Sequence, residues 1–151
     1  MRIGWRTAVA CAWLVSGSVI ASEVKFMNPE GLFKAGTFSQ VAVTQGGRTA
    51  YISGQTARDA GSNIVGVGDV RKQAEQAMAN LRVAVEAAGG SMAGVAKITT
   101  YVVGLKPDDR AWIGEMVKKH FPKPPAHTLV GISALAVPEL LVEIEAVAIL
   151  D

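Results

Sequence analysis

The strongest constraint on the fold is the alternating segment near the end of the chain, LVEIEAVAIL over residues 141–150. Every even position of this segment, from Val142 to Leu150, is apolar, and the odd positions include Glu143 and Glu145. Because alternate residues of a β-strand share one face, the pattern predicts a long strand, Leu141–Leu150, with one face in a core. The other face is apolar enough to be covered, yet it holds two carboxylates.

The remaining elements follow from hydrophobic periodicity and from turn residues. Val70–Ala88 has the 3.6-residue period of an amphipathic helix, with Asp69 placed to cap its start and Gly89 placed to end it. A second helix is predicted over Arg110–Phe121, because Ile113, Met116, Val117 and Phe121 form an apolar face, and the prolines directly after it end it. The glycines of Gln45-Gly46-Gly47 predict a hairpin turn between the first two of the predicted strands. These strands are Phe38–Val43, Thr49–Ser53, a short one at Ile64–Val67, Lys97–Val103, Thr128–Ile132 and Leu141–Leu150.

Two helices can cover only one face of a sheet of this size, which predicts an α+β fold, a two-layer sandwich. The uncovered face is partly apolar, since Tyr101, Val103, Val147 and Ile149 share it with charged residues. An apolar face that the helices leave open favours burial against another copy of the chain. The number of copies does not follow from this pattern.

The first 21 residues differ from the rest. Arg2 and Arg6 precede the apolar run Thr7–Ile20, and a small residue, Ala21, ends it. This order is typical of a secretory signal peptide, and the run is short for a membrane span of about 20 residues. The predicted organisation is a signal peptide at 1–21 and a single domain at 22–151, periplasmic or secreted and without a stable membrane anchor. The alternative is a protein that starts near Met27 and stays in the cytoplasm.

Charge and cysteine content narrow the function classes. The chain has 15 Lys and Arg against 13 Asp and Glu, and the predicted leader takes two of the arginines, which leaves 13 of each sign. No basic cluster remains beyond Lys118, Lys119 and Lys123, so a nucleic-acid partner is not expected. The single cysteine, Cys11, lies in the leader, which excludes disulfides and thiol catalysis from the domain. His120 and His127 have no third ligand at a recognisable spacing, and no metal or cofactor is expected.

Several short motifs occur in a characteristic order over residues 25–150. They are Phe38-Ser39-Gln40, Ile52-Ser53-Gly54-Gln55, Asn80-Leu81, Ala88-Gly89-Gly90, Val95-Ala96-Lys97, Pro125-Ala126 and Val142-Glu143-Ile144-Glu145-Ala146. This order resembles the reactive-intermediate deaminase family, RidA/YjgF, also called L-PSP-like. The resemblance implies a mixed sheet in a chorismate-mutase-like homotrimer with an inner barrel, and small-molecule sites in the clefts between subunits. It also implies hydrolysis of 2-imino or 2-enamino acids to 2-oxo acids and ammonia.

The resemblance assigns roles to five residues. Glu143 matches the carboxylate that orients or deprotonates a water molecule, while Phe38 matches an aromatic pocket wall that is often tyrosine. Gly54 and Leu129 match positions whose backbone completes the substrate cradle. His127 stands where the family has an arginine that clamps the substrate carboxylate.

His127 is the main departure from the family pattern. Imidazole is mostly neutral at pH 7 and lacks the two-pronged guanidinium, so we expect carboxylate binding, and with it deaminase activity, to be absent or strongly reduced. Two readings follow: a deaminase-type hydrolase, possibly diverged in substrate, or a non-catalytic trimeric module that binds a small molecule.

Overall fold

The computed structural model describes residues 23–30, 36–39 and 41–150. The helices are α1 (Val70–Ala87) and α2 (Asp109–His120), with a short 3₁₀ turn at Met92–Gly94. The strands are β1 (Glu23–Met27), β2 (Val41–Gln45), β3 (Arg48–Thr56), β4 (Val95–Val103), β5 (Ala126–Ile132) and β6 (Val142–Leu150). The predicted signal peptide lies outside the described residues. Within the described ranges, neither helix is long and apolar enough to cross a membrane.

Helix α1 forms where the periodicity predicts it. Its apolar stripe is fully buried at Ala74, Ala77, Met78, Leu81 and Val85. The Asp69 side chain accepts hydrogen bonds from the backbone N–H groups of Arg71 and Lys72, and so satisfies two donors that the first turn leaves free. Gly89, with φ of +89°, ends the helix in a conformation that glycine adopts without strain.

The main sheet has the strand order β3-β6-β4-β5, and β1 and β2 form a separate two-stranded sheet. Strand β6 runs antiparallel to both of its neighbours, whereas β4 and β5 are parallel. The central place of β6 explains its long apolar alternation, and Val142, Ile144 and Ala148 are completely buried.

The two helices pack on one face of the main sheet and enclose a single core. That core joins the α1 stripe to Ile113, Met116 and Val117 of α2 and to the even-numbered residues of β4 and β6. The pairs Lys97–Val147, Thr99–Glu145 and Tyr101–Glu143 share the opposite face, which we call the open face. The predicted α+β fold, with two helices on one face of a mixed sheet, is therefore confirmed. The trimer and its inner barrel stay predictions.

Three local predictions need correction. Gly46 and Gly47 do take the positive φ of a tight turn, but β2 pairs with β1, and β3 pairs with β6. A glycine turn permits a hairpin, and here long-range pairing places β3 beside the core instead. Phe38 lies in a bend before β2, which begins at Val41, and Ile64–Val67 forms only an isolated bridge between Ile64 and Arg58.

Candidate functional site

Glu143 and Gly54 lie side by side where β6 meets β3. The pairing of the two strands shifts register between Ile52 and Gln55, and Gly54 sits inside this irregularity. The half-buried Glu143 side chain lies against the Gly54 backbone so closely that a Cβ at position 54 would overlap its carboxylate. Only glycine permits this approach, which holds a carboxylate against the backbone of the edge strand.

Two amide side chains of α1 fix the strands around this point. Asn80 donates to the carbonyl groups of Thr56 and Arg58, at 2.8 and 2.7 Å. Gln73 is completely buried, accepts a hydrogen bond from the Leu141 N–H at 2.7 Å and donates to the Glu139 carbonyl at 2.8 Å. The end of β3 and the start of β6 are thereby tied to the same helix.

The structural role of Gln73, which holds the segment before β6 through two hydrogen bonds, was not predicted from the sequence. The available signal was a polar side chain on the otherwise apolar stripe of α1, four residues before Ala77 and eight before Leu81. Buried amides are retained only where their hydrogen bonds are satisfied, so a polar residue on such a stripe indicates a specific partner.

His127 is the second residue of β5 and lies on the face of the sheet toward the helices. It pairs with the fully buried Ile98, and its Nε2 atom lies 3.0 Å from the Thr100 hydroxyl. Burial, together with the positive charge of Lys97, lowers the pKa of His127 to about 4. The imidazole is therefore neutral at pH 7 and forms a hydrogen bond within the chain.

Phe38 lies close to the same strand. Its neighbour Ser39 donates from its N–H to the Pro125 carbonyl at 3.0 Å and from its hydroxyl to the Pro124 carbonyl at 2.9 Å. Ser39 also bridges to Ala126, so the segment that carries Phe38 runs beside the start of β5. Leu129, two residues beyond His127, pairs with Thr100 and packs against the core.

The five predicted site residues thus form two groups in one subunit. Gly54 and Glu143 make the first group, on β3 and β6, and Phe38, His127 and Leu129 make the second, along β5. Strands β3 and β5 are the two opposite edges of the main sheet. His127 also faces the helices, whereas Glu143 lies on the open face. A single subunit does not bring the two groups together.

The described part of the chain contains no group of three or more His, Cys, Asp or Glu side chains that could hold a metal ion. The chemistry available to these two groups is that of a carboxylate, a neutral imidazole and the surrounding backbone.

Comparison with known families supports the resemblance in the motifs. The family model described as Endoribonuclease L-PSP matches residues 31–150. A protein of Dermatophagoides farinae named 2-iminobutanoate/2-iminopropanoate deaminase is 32% identical over 77% of this chain and 88% of its own length. The human protein of the same name is 34% identical over 76% of this chain and 80% of its own length.

Solved structures agree with this relationship. A Yersinia pestis protein of unknown function from the conserved Rid family, YyfB, is 37% identical and superposes with a TM-score of 0.81 over 84% of this chain and 98% of its own. RidA from an Antarctic Psychrobacter is 30% identical, with a TM-score of 0.61 over 83% of this chain and 98% of its own. The family model spans most of the chain and the fold is shared, so this protein belongs to the RidA/YjgF, L-PSP family.

Proposed function

We propose that this protein hydrolyses reactive 2-imino or 2-enamino compounds, with Glu143 as the catalytic carboxylate. The observation that carries this proposal is the contact between the Glu143 carboxylate and the Gly54 backbone, at the two positions where the family motifs match. The deaminase names of the Dermatophagoides and human relatives support the reaction class.

The reaction needs one water molecule and one group that moves its protons. Glu143 accepts a proton from the water as the oxygen attacks the imine carbon, and an adjacent carboxylate is suited to this general-base role. The proton passes to the nitrogen, which gives a carbinolamine. Glu143 then takes the remaining hydroxyl proton and delivers it to the nitrogen as the carbon–nitrogen bond breaks, so the products are a carbonyl compound and ammonia. No electrons are exchanged with a cofactor.

Because His127 stands in place of the family's arginine, we expect the protein to bind a substrate carboxylate weakly. A neutral imidazole that is already bonded to Thr100 cannot supply the paired, charged hydrogen bonds of a guanidinium. A hydrogen bond to a charged group contributes about 1.5–3 kcal/mol, which corresponds to roughly 10- to 150-fold in affinity. We therefore propose weak activity on 2-imino acids and a natural substrate that does not depend on this clamp.

We also propose that the ligand binds in a cleft between subunits of a homotrimer. The two groups of site residues lie at opposite edges of the sheet, so a cleft that uses both has to combine β3 and β6 of one subunit with β5 of a neighbour. A cyclic trimer would form three equivalent clefts of this kind.

The second candidate is a non-catalytic module that binds a small molecule in the same cleft. The observation in its favour is again His127, because loss of the arginine removes the residue that positions an imino acid for attack. The presence of Glu143, which matches the family's catalytic carboxylate, favours the hypothesis of an enzyme.

The test is release of 2-oxo acid and ammonia from freshly generated imino acids by wild type, Glu143→Gln and His127→Arg. We expect low wild-type activity, none in Glu143→Gln, and at least a tenfold increase in His127→Arg if that variant folds, as judged by circular dichroism. Turnover that survives Glu143→Gln would contradict the catalytic role. Ligand binding without turnover in all three proteins would favour the binding module.

A further inference from the structure

Strand β3 contains one extra residue beside Glu143. Ile52 pairs with Ala146, and the next pair after the irregularity is Gln55 with Ile144. Three residues of β3 therefore span the same distance as two residues of β6, which is the arrangement of a β-bulge. A bulge leaves one residue unpaired and interrupts the ladder, so contacts outside the ladder are needed to hold it at one place along the strand.

The place of the bulge decides whether the Glu143 carboxylate has room. This carboxylate lies where a Cβ of residue 54 would be, and Gly54 has none. Its neighbours Ser53 and Gln55 both carry side chains. A shift of the bulge by one residue along β3 would bring one of them opposite Glu143, because register sets which residues face each other. The carboxylate would then have to turn away from β3.

Asn80 of α1 holds β3 directly after the bulge. Its amide donates to the carbonyl groups of Thr56 and Arg58 at 2.8 and 2.7 Å. Thr56 is the residue of β3 that pairs with Glu143. The Gln76 amide donates to the Asn80 Oδ1 atom at 2.9 Å, so both N–H groups of Asn80 are left for the two carbonyls. These three hydrogen bonds fix the orientation of the Asn80 side chain and, through it, the end of β3.

Gln73 holds the other strand shortly before Glu143. This buried amide accepts from the Leu141 N–H at 2.7 Å and donates to the Glu139 carbonyl at 2.8 Å, just where β6 begins. Gln73 lies about two helical turns before Asn80, so the two amides share a side of α1 and are about 10 Å apart along its axis. One helix therefore fixes both strands on either side of the contact that Glu143 makes.

We propose that Gln73 and Asn80 are positioning residues for Glu143. They hold the bulge at one register, and this register keeps the Glu143 carboxylate against Gly54. Both amides act through the backbone of the strands. The inference rests on the proposed catalytic role of Glu143, but the geometry that it predicts can be measured without turnover. Displacement of a general base slows the chemical step more than it weakens substrate binding, which gives the kinetic signature of such residues.

Crystal structures of wild type, Asn80→Ala and Gln73→Met give the first test, because they show the bulge directly. Asn80→Ala leaves two carbonyl groups without their donor, and Gln73→Met leaves the Leu141 N–H without its acceptor while keeping a side chain of similar size. In both variants we expect the bulge to shift or the Glu143 carboxylate to leave Gly54. An unchanged contact in both would overturn the proposal.

A milder variant covers the case in which neither of these two proteins folds. Gln76→Met removes only the hydrogen bond that orients Asn80, at a position that is half-buried. The same displacement of Glu143 is expected there, to a smaller extent. A crystal structure of Gln76→Met with the wild-type contact in place would then overturn the proposal.

Steady-state turnover of imino acids gives the second test. We expect kcat to fall at least about tenfold in Asn80→Ala and in Gln73→Met, while KM changes less than about threefold. Val85→Ala is the matched control, since Val85 is fully buried on the same helix and takes no part in these hydrogen bonds. An equal loss of kcat in Val85→Ala would assign the effect to general destabilisation and overturn the proposal.

The two tests separate this inference from the proposed function. If wild type and His127→Arg both fail to release ammonia, the proposed function is wrong, and the crystal structures alone decide whether the two amides place Glu143. If turnover is present and the variants lose neither kcat nor the contact with Gly54, the proposed function stands and the positioning role is wrong.

Discussion

At the residue scale, the environment of His127 decides its chemistry. The family resemblance implies an arginine where this chain has His127, but the sequence does not show that the His127 side chain faces the helices or that Thr100 is its partner. These follow from the parallel pairing of β5 with β4, which aligns His127 with Ile98. Because burial keeps the imidazole neutral, His127 forms a hydrogen bond at the edge of the hydrophobic core and does not act as a cation.

The lowered pKa of His127 predicts acid sensitivity of the fold. Between the ordinary value of 6.5 and the folded value of about 4, the unfolded chain binds a proton at this residue and the folded chain does not. Stability is therefore complete above about pH 6.5 and falls as the pH approaches 4, by up to about 3 kcal/mol. In His127→Gln this part of the pH dependence should disappear.

Urea unfolding of both proteins, repeated at intervals from pH 4 to pH 7.5, measures the difference. His120, the other histidine of the chain, provides the matched control, since His120→Gln should leave this contribution of His127 in place. An identical pH dependence in wild type and His127→Gln would show that the buried imidazole is not the cause.

At the element scale, the starts of the two helices differ although both carry aspartates. Asp69 bonds to two N–H groups of the first turn of α1. Asp108, at the corresponding position of α2, makes no capping hydrogen bond with its side chain. Its neighbour Asp109 instead accepts from the Lys106 N–H and from the Trp112 indole, both at 2.8 Å. The sequence places both aspartates at the start of α2 and does not distinguish their roles.

This difference predicts unequal costs for two similar substitutions. Asp69→Ala should lower the free energy of unfolding by about 1 kcal/mol, because it leaves two donors of α1 without their partner. Asp108→Ala should change it by less than about 0.5 kcal/mol. Chemical denaturation followed by circular dichroism gives both values, and equal losses would contradict the capping role of Asp69.

At the scale of the whole molecule, the open face of the sheet is the main surface that the helices do not cover. Tyr51 is 82% exposed there, beside Val147, although a large aromatic side chain gains from burial. A partner copy of the chain on this face would bury it. This agrees with the expected homotrimer.

If subunits assemble through the open face, a charged side chain introduced there should dissociate the oligomer. Wild type should have about three times the mass of one chain in light scattering, and Tyr51→Glu should shift the protein toward monomers, because it would bury an unpaired carboxylate. Val83→Glu is the matched control, since Val83 is 65% exposed on α1, outside the open face. A monomeric wild type, or equal effects of the two substitutions, would exclude this face as the interface.

Local sequence patterns were sufficient to predict the two helices, the central strand β6 and the family. Helix α1 and strand β6 have apolar residues at intervals of 3.6 and 2 residues. These periodicities are visible in the sequence without knowledge of the fold. The capping roles of Asp69 and Gly89 are equally local, and both were predicted correctly. The family motifs likewise depend only on residue identity and order.

Features that depend on pairing between distant segments of the chain are visible only in the folded protein. A glycine turn after β2 predicted a hairpin, yet β3 pairs with β6, which lies far along the chain, and Ala50 and Ile52 of β3 pack against the core there. The same kind of long-range pairing separates Glu143 from His127 and places Gly54 beside Glu143. Local patterns specify which face of a strand is apolar, but strand partners and register set which functional groups meet, since these are chosen by packing of the whole core.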